Sequence, residues 1–292
     1  MHIVTCLKAI WRTDTALRLQ NGDHALNPDG RHPVLNPADR AALGVALRLQ
    51  ASIPEAGIHA ITVGPPTWEG ILRDALAVGA AEATRVWQPD RTESETLAVD
   101  GSADTTLINA RAVAGVLRTL QPVLVLAGAA SGDAGHGCFG AYLAEALGMA
   151  YAHAVTEVEA IPGGWRVVVE LERGYTQRMD LPAPAVVTVP PHIAGPTEAS
   201  LPALLRSRSA SIRNVTVALP APGHTTTTVR APVPRVKRYT VPPATLNAEQ
   251  RIQAMVTLPT GSGGVVVGAE QSPEQQAEAI LGLLKSKGYL PG

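Results

Sequence analysis

The first half of the chain alternates short β-rich runs with helical patterns, and the last of those runs has no polar position at all. Residues 3–7, 58–63, 84–87 and 123–127 read as strands. The run Val123-Leu124-Val125-Leu126-Ala127 fits a strand covered by helices on both faces, as in a parallel sheet. Helical segments separate the strands. Asn36-Pro37 opens the first of them. Asn suits the N-cap, where its side chain accepts an orphan N–H, and Pro suits the first helical position. Ala38, Ala41, Ala42, Val45, Ala46 and Leu49 then follow the spacing of one buried face. Thr67 is placed to cap a second helix, with a stripe of Ile71, Leu72, Ala75 and Leu76 and a stop at Gly79. Residues 105–120 form a third, with Leu107, Ala110, Ala114 and Leu117 on one face, and residues 140–147 a fourth. Repeated strand–helix–strand units with short connections imply a three-layer α/β domain with right-handed crossovers.

After residue 147 the pattern changes. Residues 152–160, 165–172, 175–181 and 185–189 read as strands without helices between them, and Pro162-Gly163-Gly164 is a hairpin signal. Together they predict an antiparallel β extension. Residues 220–243 are rich in Pro and Thr, the composition of an extended arm or a linker. A last amphipathic helix runs through Ala277, Ile280, Leu281 and Leu284, opened by Ser272-Pro273-Glu274. The expected division is therefore 1–219 and 220–292.

Composition narrows the function classes. Among 292 residues, Lys plus Arg number 24 and Asp plus Glu 25, a net charge of −1 that argues against a broad nucleic-acid footprint. Apolar residues at 46% are too many for a disordered chain, and aromatics at 3% leave an aliphatic core. Two cysteines, Cys6 and Cys138, are too few for a disulfide framework or a four-cysteine metal site. No apolar run reaches the length of a membrane span. The opening residues lack the basic segment and long apolar stretch of a signal peptide. The expectation is a cytoplasmic protein with no metal site, no nucleic-acid partner and no direct membrane insertion.

The strongest candidate for chemistry runs from Gly128 to Gly140, between the apolar strand and the next helix. Glycines let backbone N–H groups approach a phosphate, and a helix N-terminus adds partial positive charge. The alternative is a glycine-rich connection that only permits tight helix–sheet packing. His136 lies in this loop as a hydrogen-bond donor or an exposed residue. Cys138 is either a thiol activated by the helix end or a packed side chain, and Cys6 is a small core residue. Trp11 and Trp68 are either stacking groups or buried anchors. Glu170 and Glu172 alternate with Val169 and Leu171, so both carboxylates are expected on one strand face. Arg206, Arg208 and Arg213 read as a solvated basic cluster. There is no Gly-x-Ser-x-Gly elbow and no His-Glu-x-x-His pair, so no catalytic residue is assigned.

Several of these segments together resemble the β-subunit of electron-transfer flavoproteins. The strand ending at Lys8 is similar to the family's start, and Asn36-Pro37-Ala38-Asp39 to its Asn-Pro motif. Val63-Gly64-Pro65-Pro66 followed by Ile71-Leu72-Arg73-Asp74-Ala75-Leu76-Ala77-Val78-Gly79-Ala80 closely resembles the family, and such an Arg-x-Ala-Leu-Ala-x-Gly-Ala helix is a fairly specific signal. Glu170-Leu171-Glu172-Arg173-Gly174 resembles the family's Glu-x-Asp-x-Gly hairpin, with its Pro-Ala-Val-Val strand following. Pro196-Thr197-Glu198-Ala199-Ser200-Leu201-Pro202 looks like its recognition loop. The resemblance covers residues 1–215, and more weakly the C-terminal helix. In the phosphate loop only Asp133 and Gly140 keep the family register. Ala134-Gly135 stands where other acids occur, and Gly137-Cys138-Phe139 where a polar trio occurs.

The resemblance implies a three-layer parallel sheet of the adenine-nucleotide-hydrolase-like, Rossmann-like kind, with an antiparallel β extension and a C-terminal arm on the partner. It implies a heterodimer with an α-subunit that holds most of the redox FAD, taking electrons from a donor dehydrogenase and passing them to a quinone oxidoreductase. The β-subunit would bind AMP structurally, or a second FAD in members that bifurcate electrons. By position the nucleotide pocket would comprise Cys6, Asn36, Pro37, Ala38, Asp39, Val63, Gly128, Gly132, Asp133, Ala134, Gly135, His136, Gly137, Cys138 and Phe139. Phe139 narrows the room for a diphosphate, which favours AMP or no nucleotide over a second FAD. Leu201 matches a leucine that anchors in the donor dehydrogenase, and Glu170 a glutamate that orients the moving flavin domain. Read from the residues alone, Leu201 either stands on a loop facing solvent or begins a short helix through Leu204 and Leu205 and packs inward. The competing function class is a stand-alone nucleotide-binding regulator built on the same kind of α/β domain.

Overall fold

The computed structural model describes residues 1–11, 33–87, 103–194, 198–217, 245–256 and 272–286. The expected arm at 220–243 and positions 196–197 of the expected recognition loop lie outside the described residues. In chain order the elements are β1 (His2–Cys6), β2 (Ala9–Trp11), β3 (Pro33–Leu35), α1 (Pro37–Ser52), β4 (Gly57–Val63), α2 (Glu69–Val78), β5 (Glu82–Trp87), α3 (Ala103–Leu120), β6 (Leu124–Gly128) and α4 (Phe139–Leu147). They continue with β7 (Ala150–Ala152), β8 (Val155–Ile161), β9 (Gly164–Glu170), β10 (Thr176–Pro182), β11 (Ala185–Val189), α5 (Leu201–Ser209), β12 (Arg213–Thr216), α6 (Ala248–Val256) and α7 (Pro273–Ser286). The chain separates into two units, Met1–Val229 and Arg230–Gly292.

In the first unit seven strands form one sheet in the order β12-β5-β4-β1-β6-β11-β7. Every pairing within it is parallel. Alternate residues of each strand enter opposite layers. Ile3, Ile58, Leu124 and Val187 pack with α1 and α2. Val4, Ile61, Val125 and Val186 pack with α3 and α4 on the other face. Burial on both faces is why β6 carries no polar position before its last residue. The chain leaves β1 through α1 to reach β4 on one side, whereas β6 leads to β7 and β11 on the other. Connections therefore diverge between β1 and β6, and a crevice opens at the carboxyl ends of these strands, where ligands of such sheets bind.

The β extension differs from expectation in one respect. Only β8, β9 and β10 form the antiparallel sheet. Residues 185–189 return to the parallel sheet as β11, between β6 and β7. All five residues of β11 are buried, the pattern of a central parallel strand. Gly163 makes the β8–β9 turn at φ +78°. Trp165 fixes the small sheet to the large one, since its ring is buried and its Nε1 donates to the Val123 carbonyl at 3.1 Å.

Two local expectations also change. Thr67 does not open α2: residues Pro66–Trp68 make a 3₁₀ turn and the helix starts at Glu69. Glu172 does not share a strand face with Glu170. β9 ends at Glu170, and the chain turns through Arg173 at φ 61°. The three-residue ribbon of β2 and β3 carries no periodic signal in sequence. In the second unit α7 opens at the expected Ser272, whose N–H bonds Gln275 Oε1 (3.0 Å) while its Oγ accepts from Gln275 N–H (3.3 Å). α6 was not expected. Asn247 and Gln250 cap it by the same reciprocal pairing.

Candidate functional site

A cleft of about 120 Å³ lies at the carboxyl ends of β1, β4 and β6, closed on one side by α3. That is well above the ~10–15 Å³ needed for one water, so a larger ligand fits. Of the expected pocket residues, Cys6, Asn36, Asp39, Val63, Gly128, Ala134, His136, Gly137 and Phe139 line it. Pro37, Ala38, Gly132, Asp133, Gly135 and Cys138 belong to the same segments without forming its wall.

Asn36 does precede α1, but its side chain does not cap that helix. Its Oδ1 accepts the Gly132 N–H at 3.1 Å and its Nδ2 donates to the Ala130 carbonyl at 3.2 Å. A tertiary demand thus overrides the local one: the amide pins the loop after β6 to the start of α1. Asp39, in the first turn of the helix, accepts the Lys8 N–H (2.8 Å) and the Gly128 N–H (2.7 Å), one on each carboxyl oxygen. A Cβ on Gly128 would lie 2.5 Å from Asp39 Oδ1 and 2.7 Å from Ala38 Cβ, so no larger residue fits there. Burial pushes the Asp39 carboxyl up to about 6, against the opposing pull of these two N–H donors, of Asn36 and of the Lys8 charge. Burial, and secondarily the Asp39 charge, drive the Cys6 thiol far above its ordinary value, so Cys6 is a packing residue.

The loop itself is held by Lys8. Its Nζ donates to Asp133 Oδ1 at 2.6 Å and to Ser131 Oγ at 3.2 Å. Burial raises Asp133, but the Lys8 charge and hydrogen bonds from Lys8, Ser131 and the Ala134 N–H together take it below its ordinary value. Gly137 sits at φ +66°, a turn that delivers the chain to α4. Cys138 is the N-cap of α4 and provides no side-chain cap, so the first N–H groups of that helix remain available to an anion beside the cleft. His136 is tied to α3, with Nδ1 3.2 Å from Thr106 Oγ1.

Trp68 lines the cleft but is buried against Gly64, where a Cβ would overlap its ring, so it is an anchor. Reading by motif passed over Lys8, Thr62, Thr105, Thr106 and Asn109, which also form the wall. The available signal was the polar stretch in the first turns of an otherwise apolar α3. The oxygens Thr62 Oγ1 and Asn109 Oδ1 are buried and have no hydrogen-bond partner among the described residues. No cluster of metal-ligating side chains exists among the described residues, and no described helix is long and apolar enough to cross a membrane.

Leu201 begins α5, as the helical alternative expected, yet it is 68% exposed, with Leu205 at 54% and Leu204 at 39%. Ser200 caps this helix by accepting the Ala203 N–H. Its other end is held by Arg73 of α2, which donates to the carbonyls of Ser207 (2.9 Å), Arg208 (2.8 Å) and Ala210 (3.3 Å). Arg73 also reaches Glu69, which binds Arg85, and Arg85 donates to the Gly64 carbonyl at 3.3 Å. Glu170 is exposed at the end of β9.

A family model described as "Electron transfer flavoprotein domain" matches residues 25–220. The electron transfer flavoprotein subunit beta of Methylophilus methylotrophus is 29% identical over 187 residues, 63% of this chain and 67% of the relative. The protein of that same description from Clostridium acetobutylicum is 32% identical over 189 residues, covering 64% and 68%. The caffeyl-CoA reductase-Etf complex subunit CarD of Acetobacterium woodii is 28% identical over 188 residues, covering 64% and 68%.

Proposed function

The chain belongs to the electron transfer flavoprotein family as a β-subunit, and on that premise we propose that it forms one half of a heterodimer whose α-subunit holds most of the FAD. The heterodimer takes electrons from a donor dehydrogenase and passes them to a quinone oxidoreductase, in the cytoplasm. The flavin supplies the redox chemistry when bound, and this chain supplies position and docking. The observation that carries the reading is the family match over residues 25–220, a span that holds most of the cleft wall.

The cleft takes AMP as a structural ligand. Its phosphate is suited by the uncapped N-terminus of α4 and the backbone of 136–139, since the N–H groups of Gly132, Ala134 and Gly135, expected to share that role, already bond Asn36, Asp133 and Ser131; Asn36, expected at the adenosine end, is bound to the loop instead, which leaves Val63 for that end. Phe139 forms part of the wall. Its ring narrows the space for a diphosphate, which favours AMP over a second FAD. A ligand touching β1, β4, β6 and α3 together stabilises the native state by mass action without any chemistry of its own. No catalytic centre is assigned to the described residues. Residues 220–292 form the arm that wraps the α-subunit, which would cover the exposed Ile252, Ile280 and Leu281 of α6 and α7. Leu201 and Glu170 serve docking to the donor and orientation of the flavin domain.

Co-expression with an electron transfer flavoprotein α-subunit tests this reading. The expected product is a yellow heterodimer that releases FAD and AMP in equal amounts on acid treatment. Release of two FAD per heterodimer would reassign the cleft to the bifurcating type. A colourless chain that binds no α-subunit would overturn the proposal.

A further inference from the structure

Nearly every polar side chain in the cleft wall is already engaged. Asn36 holds the loop, Asp39 holds two backbone N–H groups, Lys8 holds Ser131 and Asp133, and His136 meets Thr106. Asn109 differs. It lines the cleft from α3, in a wall that also holds Cys6, Ile61, Val63 and Val113, and its Oδ1 is shielded from solvent with no partner among the described residues. An amide oxygen left unpaired in an apolar wall is costly, whereas a leucine of similar size would avoid that penalty. Such a group persists where something else uses it.

We propose that Asn109 is the base-reading residue of this cleft: its amide hydrogen-bonds the polar edge of a purine base seated among the four apolar neighbours. The inference rests on the nucleotide reading given above and adds a residue to it. An Asn side chain carries an acceptor and two donors side by side, which matches the adjacent donor and acceptor of an adenine edge. Aliphatic walls meet the faces of the ring, and one amide fixes its orientation, the usual division of labour in ligand pockets. The base then lies at α3, and the phosphate reaches toward the loop before α4.

The test uses the full chain, Asn109→Leu, and two probes, AMP and ribose 5-phosphate. Loss of a base hydrogen bond should weaken AMP about ten-fold, while ribose 5-phosphate, which has no base, binds the variant as it binds the wild type. The melting temperature without ligand should stay level or rise, because the variant removes an unpaired buried oxygen. Asn109→Ala, which leaves space in place of the amide, should weaken AMP in the same selective way if the leucine is not accommodated. If both probes weaken together and the melting temperature falls, Asn109 is scaffold and the proposal is overturned. Unchanged AMP affinity overturns it while leaving the nucleotide reading intact. If the wild type binds neither probe, both readings fall.

Discussion

Lys8 Nζ and Asp133 Oδ1 lie 2.6 Å apart, joining the end of β1 to the loop after β6. Both side chains are about one-third exposed, at 35% and 28%. An ion pair so placed contributes little to global stability, typically ~0–1 kcal/mol, and is screened by salt. Its effect is local: it holds the loop over the cleft. Lys8→Met should therefore leave the melting temperature almost unchanged while amide exchange across residues 131–135 speeds up several-fold. High salt should produce part of the same acceleration in the wild type and none in the variant. Unaltered loop exchange in Lys8→Met would show that Asn36 alone holds the loop.

Asp39 makes stability depend on pH. Its carboxyl titrates at about 6 in the folded chain, against an ordinary value of 3.8. The native state thus holds this proton more tightly than the unfolded state does. The stabilising contribution is complete below pH 3.8 and is lost as pH rises through about 6. A rise from 3.8 to about 6 corresponds to about 3 kcal/mol. Asp39→Asn removes this titration and also turns an amide NH₂ toward one of the two N–H donors, at a cost of about 1–3 kcal/mol. Urea unfolding from pH 4 to 7 should show the wild type losing its advantage over Asp39→Asn as pH rises. A difference that grows with pH would mean the two N–H donors outweigh burial.

The parallel core was legible because its cause is local: strands buried on both faces must be apolar throughout, and 123–127 is. Helix faces and the Gly163 hairpin follow from equally local rules. What escaped depends on partners distant in sequence. Nothing within Ala185–Val189 says which strand it will join, and it pairs with β6 and β7 after three antiparallel strands have intervened. Asn36 obeys the local grammar of a helix start, yet its amide serves Gly132 and Ala130, more than ninety residues away. Asn109 gave no motif at all, since its meaning lies in the apolar wall around it.

Arg73 is expected to control the order of α5. Its guanidinium serves three carbonyls at the end of that helix, a task the point charge of lysine does not reproduce. Arg73→Ala and Arg73→Lys should both raise hydrogen exchange across 201–209, the alanine variant by about ten-fold, as expected from losing ~1–2 kcal/mol of local hydrogen bonding. Exchange in α1 and β4 should not change. Acceleration spread evenly over the first unit would instead make Arg73 a general structural residue.

Leu201 stands at the first turn of α5, with Leu204 and Leu205 one turn further along the same side. At 68% exposure, Leu201 has little packing to lose, so Leu201→Ala should keep the flavin content and shift the melting temperature little. A single apolar anchor suits a small, transient interface, because a shuttle must release its partner in each cycle. The helix is also fixed at both ends before any partner arrives, by Ser200 and by Arg73, which lowers the ordering cost of docking. Stopped-flow reduction of the heterodimer by its donor should therefore show a KM raised about ten-fold or more for Leu201→Ala, with the limiting rate nearly unchanged. Leu205→Ala should give a smaller effect of the same kind, since it is less exposed. Loss of flavin or of stability would make Leu201 a packing residue after all. Unaltered kinetics would place donor docking on another face of the protein.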